Sequence, residues 1–139
     1  MANAQIRYRS GYKYQLAEGY SVKVSVIPKE PIKTEFIALG IDGTLAIKRG
    51  YAWDGPSGPT IDTRNFMRGS LVHDALYQLM RDAGLSKEQW RDEVDLELKR
   101  ICLEDGMNSL RAWWVHRGVR AGGDPSASPD SRKPIHTAP

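Results

Sequence analysis

A chain of 139 residues is long enough for one domain with its own core and too short for two comfortable ones. Its 40% hydrophobic and 27% charged residues are the proportions of an ordinary globular protein, which sets aside a disordered or fibrous chain. The 20 basic and 17 acidic residues leave a net charge of +3 with little clustering, and this argues against a nucleic-acid partner.

In chain order, the first residues lack the apolar run of a secretory signal, and no later stretch reaches the roughly 20 apolar residues of a membrane span. Synthesis in the cytoplasm is therefore expected, with a role outside the cell requiring separate export or release. Residues 20–27 alternate polar and apolar side chains, and 32–39 and 44–48 are rich in β-formers, so three strands of an antiparallel meander are predicted. Gly40 to Gly43 supplies the turn between the last two, and a further short strand falls within 6–14. Three glycines and two prolines in 50–63 then rule out a regular element. Tyr51 and Trp53 are expected to pin this ordered Gly/Pro loop against the body, with Asp54 and Ser57 supporting it.

A first helix is predicted from Arg64 to about Ala83. Ser86 to Gln89 forms a capping box for a second helix, where Trp90, Val94, Leu98 and Ile101 make an apolar stripe and Gly106 serves the C-terminal end. A third helix starts near Ser109 and ends at Gly122. The class is thus α+β, with a β-meander, a loop and three helices in a single domain over 1–123. Residues 124–139 are rich in Pro and Ser and cannot build a core, so they read as a flexible tail in which His136 has no site role. Cys102 is the single cysteine, which excludes an internal disulfide and favours a buried packing thiol.

Three polar side chains interrupt the apolar pattern of the first helix. His73 and Tyr77 lie one turn apart on one face, while Asp74 points about 100° away. An imidazole that does chemistry needs a carboxylate to fix its tautomer and support its cation. Asp95, on the second helix among Val94, Leu98 and Cys102, is the expected partner, with Asp92 as the runner-up. The alternative is a buried His and Tyr that are satisfied by hydrogen bonds and carry no activity. Ser57 or Ser70 as a nucleophile beside His73 has less in its favour, because neither sits in a strand-to-helix elbow. A transition-metal site built on His73, Asp74 and Asp95 lacks support too, since no spacing brings His116 near.

Asp54-Gly-Pro-Ser-Gly-Pro59, His73-Asp-Ala-Leu-Tyr77, and Asp95 followed eleven residues later by Gly106 together resemble the phage and prophage proteins grouped as domain-of-unknown-function family 1353. The resemblance spans about residues 15–122 and implies a bacteriophage-encoded protein, a virion component of tail or capsid or one associated with lysis. Other phage structural proteins or a bacterial envelope component would be its partners.

A more distant likeness is to calcium-dependent secretory phospholipases, which also place a Gly/Pro loop before a helix bearing His-Asp-x-x-Tyr. It implies His73 as general base, Asp95 as the group that orients it and Tyr77 as support. It further implies calcium held by Asp74 with backbone from Gly55 to Gly58. The chain departs from that pattern in its lack of disulfides, its strand-rich first half and its shorter separation of His73 from Asp95. Two expectations result: metal-assisted hydrolysis of an envelope lipid ester or peptidoglycan bond, or a purely structural particle protein whose polar cluster locks the loop onto the helices.

Overall fold

The computed structural model describes residues 8–9, 14–53 and 64–122. The expected alternation at 20–27 is carried into burial: Tyr20, Val22, Val24 and Val26 are buried and the residues between them are exposed. Strand pairing covers less of this segment than its pattern does. β3 (Tyr20–Lys23) pairs antiparallel with β6 (Thr44–Ile47), and the ladder stops where β6 begins at the Gly40–Gly43 turn. Beyond that point the Ser25 amide finds a different acceptor, the Glu97 carboxylate at 2.8 Å, which ties the end of the strand to a helix.

The single strand expected at 32–39 is two strands, β4 (Ile32–Lys33) and β5 (Ile37–Leu39), folded onto each other. Thr34 explains the reversal. Its amide donates to the Ile37 carbonyl at 2.7 Å and its Oγ1 accepts the Ile37 amide at 3.1 Å, a local alternative to continued extension. The sheet order is β3-β6-β5-β4, so β4 to β6 form a meander and β3 returns to β6. At the β5–β6 turn Gly43 has φ 83°, and a Cβ there would stand 2.5 Å from the Val24 carbonyl oxygen. Only glycine fits.

A second small sheet holds β1 (Tyr8–Arg9), β2 (Tyr14–Leu16) and β7 (Ala52–Trp53), all antiparallel. β1 overlaps the extra strand expected at 6–14. The helices are α1 (Arg64–Asp82), α2 (Lys87–Glu104) and α3 (Ser109–Gly122), and their ends follow the expected signals. Ser86 accepts the Gln89 amide at the start of α2. At its end Gly106, φ 99°, donates to Leu103 while Met107 donates to Cys102, the double closure of a Schellman motif. Asn108 caps α3 by accepting the Arg111 amide at 2.8 Å.

α1 is buried around most of its circumference. The sheets and α2 share a core with it that includes Leu16, Leu45, Leu71, Leu76 and Ile101, and a smaller apolar cluster with Leu98, Cys102 and Ala112 lies where α3 packs on α2. Cys102 is buried, as expected, and burial pushes its thiol up to about 12. Most polar residues of α1 therefore face neighbouring elements and must find partners inside, while Asp74, Gln78 and Arg81 form a partly exposed stripe. The tail expected at 124–139 lies outside the described residues.

Candidate functional site

The approach of α1 to α2 is set by Gly69. A Cβ there would lie 3.0 Å from both Cys102 Sγ and Leu98 Cδ1, so the missing side chain lets the two helices close together. The helices run antiparallel, and one turn further along α1 the residue opposite is Asp95. His73 Nε2 stands 2.8 Å from Asp95 Oδ1, and the Tyr77 hydroxyl donates to the same oxygen at 2.6 Å. The structure therefore brings His73, Tyr77 and Asp95 together as the sequence led us to expect.

Asp95 is fully buried. Its second oxygen, Oδ2, accepts Arg120 Nη1 at 2.9 Å, so the carboxylate on α2 takes donors from both α1 and α3. Burial alone would raise the Asp95 pKa, but hydrogen bonds from His73, Tyr77 and Arg120 outweigh it and hold the group below the ordinary carboxylate range. Since an ionised carboxylate only accepts, His73 must carry its proton on Nε2 and donate it there. For His73, desolvation is likewise outweighed, here by the carboxylates of Asp74 and Asp95, and its pKa is raised. Burial, reinforced by the Asp95 charge, pushes the Tyr77 phenol up, so it remains a neutral donor.

His73 Nδ1 faces the other way, 3.9 Å from Asp74 Oδ1. That distance is too long for a direct hydrogen bond. Asp74 is 35% exposed while the His73 side chain is 9% exposed, so the dyad opens toward solvent on the Asp74 side. A buried acid, an imidazole fixed in one tautomer and an outward-facing second nitrogen form an arrangement that can take a proton from a water molecule.

Trp53 does pin the segment entering the loop: its Nε1 donates to Ser70 Oγ at 3.0 Å, and Ser70 donates on to the Met67 carbonyl, which accounts for the Ser70 hydroxyl without a nucleophilic role. Tyr51 reaches Gln78 in the same way. Asp92 is not the partner of His73; it is exposed and pairs with Arg120 at 2.7 Å. His116 is half-buried on α3, with its pKa lowered by burial and by Lys99. Asp54, Gly55, Ser57 and Gly58 lie outside the described residues.

Among the described residues no group of three or more His, Cys, Asp or Glu side chains is placed to hold a metal ion. Asp74 is the only described member of the donor set that the phospholipase likeness implies for calcium, and the chemistry below has no step through a metal. Arg120 is the functional residue that sequence reasoning missed. The available signal was general: a carboxylate enclosed with two donors on one oxygen requires a donor on the other. No spacing rule identifies which α3 residue supplies it. No family model, curated protein or solved structure matches this chain.

Proposed function

We propose that the protein is a hydrolase in which His73 is the general base and Asp95, supported by Tyr77 and Arg120, is the positioning residue. The observation that carries this reading is the 2.8 Å link from His73 Nε2 to the buried Asp95, which leaves Nδ1 as the basic nitrogen on the exposed side. Nδ1 takes a proton from water as the water oxygen forms a bond to the carbonyl carbon of an ester. The C–O bond to the leaving alcohol then breaks, and the alcohol oxygen receives the proton from Nδ1, returning the imidazole to its starting state. Asp95 stabilises the imidazolium in between.

The substrate we propose is a lipid ester or a peptidoglycan bond of the bacterial envelope, and the resemblance of three ordered motifs to phage proteins supports a bacteriophage origin with a place in the virion or in lysis. The same reading assigns Asp74, together with Gly55 and Gly58 backbone, to calcium. Calcium that raises the thermal midpoint of the wild type but not of Asp74→Asn supports this assignment. No response in either removes the ion and leaves the His73 chemistry standing.

The test is hydrolysis of a panel of envelope lipid esters and of peptidoglycan by the wild type and by His73→Gln, with folding checked by circular dichroism. A loss on the order of 10²-fold or more in the folded variant is expected for a general base. Equal rates, or no activity on any member of the panel, would remove the proposal. A second reading has its own observation: Asp95 draws donors from α1 and α3 onto α2, so the cluster also locks the three helices. In a structural particle protein this would be its whole role.

A further inference from the structure

α3 is apolar on two opposite sides. Ala112, Val115 and Val119 turn inward onto the cluster of Leu98 and Cys102. At 100° per residue, Leu110, Trp114 and Arg117 lie on the opposite side of the cylinder, with Trp113 beside them. These side chains face outward: Leu110 is 68%, Trp114 62% and Trp113 41% exposed. The two indoles meet edge to face with centroids 5.0 Å apart, and the Arg117 guanidinium sits 5.2 Å over the Trp113 ring. A helix apolar on both sides requires cover on both, and the outer side has none among the described residues.

Charge indicates what covers it. α3 carries Arg111, His116, Arg117 and Arg120 and no carboxylate. Arg120 is committed to Asp92 and Asp95, whereas Arg117 is exposed at the margin of the apolar patch. Lys99 of α2 adds to the same cationic field, which acts on His116 together with Arg120 and Arg117 and helps depress its imidazole. Two copies meeting through this face of α3 would bring its cations together with no α3 carboxylate to offset them. A single-stranded nucleic acid would use the rings and arginines for stacking but would leave Leu110 without purpose. Exposed leucine, amphipathic indoles and flanking cations together match a bilayer interface.

We propose that the outer face of α3 docks on an anionic lipid bilayer, with Leu110, Trp113 and Trp114 entering the interfacial layer and Arg117 meeting lipid phosphates. This is peripheral attachment, in keeping with the absence among the described residues of any helix long and apolar enough to cross a membrane. It does not depend on His73 acting as a base.

The experiment is co-sedimentation of the full chain with vesicles of phosphatidylcholine alone and of phosphatidylcholine mixed with phosphatidylglycerol, with tryptophan quenching by brominated lipid as a second readout. The wild type is expected to bind the mixed vesicles more tightly and to be released by salt. Leu110→Ser combined with Trp114→Ser, both at exposed positions, is expected to weaken binding by about tenfold or more. Arg117→Gln should weaken it about fivefold on the anionic vesicles only. Vesicle binding that the variants leave unchanged, or its absence in the wild type, overturns the proposal. So does a wild-type dimer that the double variant dissociates, or oligonucleotide binding lost in that variant while vesicles are ignored.

Discussion

His73 and Asp95, 22 residues apart in sequence, meet at 2.8 Å across the contact between α1 and α2, and the Asp95 oxygen involved also accepts the Tyr77 hydroxyl. Removing the shared acceptor should therefore cost more than removing either donor. Asp95→Ala leaves an imidazole, a phenol and a guanidinium facing a space without a carboxylate, and a loss of about 3–5 kcal/mol is expected. Tyr77→Phe deletes one donor and is expected to cost about 1–2 kcal/mol. Urea denaturation of the two variants gives the comparison, and a larger loss for Tyr77→Phe would contradict the assigned geometry.

The pair also sets a pH window for stability. The Asp95 pKa is lowered on folding, so its contribution is complete above the unfolded value of about 4 and is lost as pH falls through the folded one. The His73 pKa is raised, so its contribution is complete below the unfolded value of about 6.5 and is lost as pH rises through the folded one. Together they contribute most between about pH 4 and 6.5. Thermal midpoints measured in chelator from pH 3 to 9 should show the wild type exceeding Asp95→Asn most in that window. A constant difference across the range would contradict the shifts.

Gly69 should resist a branched side chain. Gly69→Val puts branched atoms where Cys102 and Leu98 already lie at 3.0 Å from an added Cβ, so those side chains or the helices themselves must give way. A loss of about 1–3 kcal/mol is expected, and the imidazole NMR signals of His73 should shift as its distance from Asp95 grows. A stable variant with unchanged His73 signals would show that the close approach is not what positions the dyad.

Arg120 contacts two carboxylates in different surroundings. Asp92 is 81% exposed, so Asp92→Asn is expected to cost less than about 1 kcal/mol. Arg120→Gln removes a charged donor from the fully buried Asp95 and is expected to cost about 1.5–3 kcal/mol. Chemical denaturation separates the two, and equal losses would show that the exposed pair carries the interaction.

Much of this arrangement was legible in the chain because it rests on local signals. The Ser86 cap, Gly106 and the apolar periodicity fixed α2, and the one-turn spacing of His73 and Tyr77 placed both on the side facing it. Asp95 could be chosen over Asp92 because it falls within the apolar stripe. What escaped depends on distant pairing. The reversal at Thr34 turns on a side chain competing with strand extension, and the β3 ladder ends where its partner turns, leaving Ser25 to Glu97. Arg120 reaches Asp95 only through the packing of α3, which no spacing within the sequence encodes.

The central claim is that Asp95 holds His73 with its proton on Nε2, leaving Nδ1 as the base. Nitrogen-15 NMR of the His73 imidazole across a pH titration reads this directly. The expected spectrum shows a protonated Nε2 throughout and an Nδ1 that gains its proton as pH falls, with a pKa raised above the ordinary histidine value. A neutral ring protonated on Nδ1 instead, or a pKa below that value, would contradict the account.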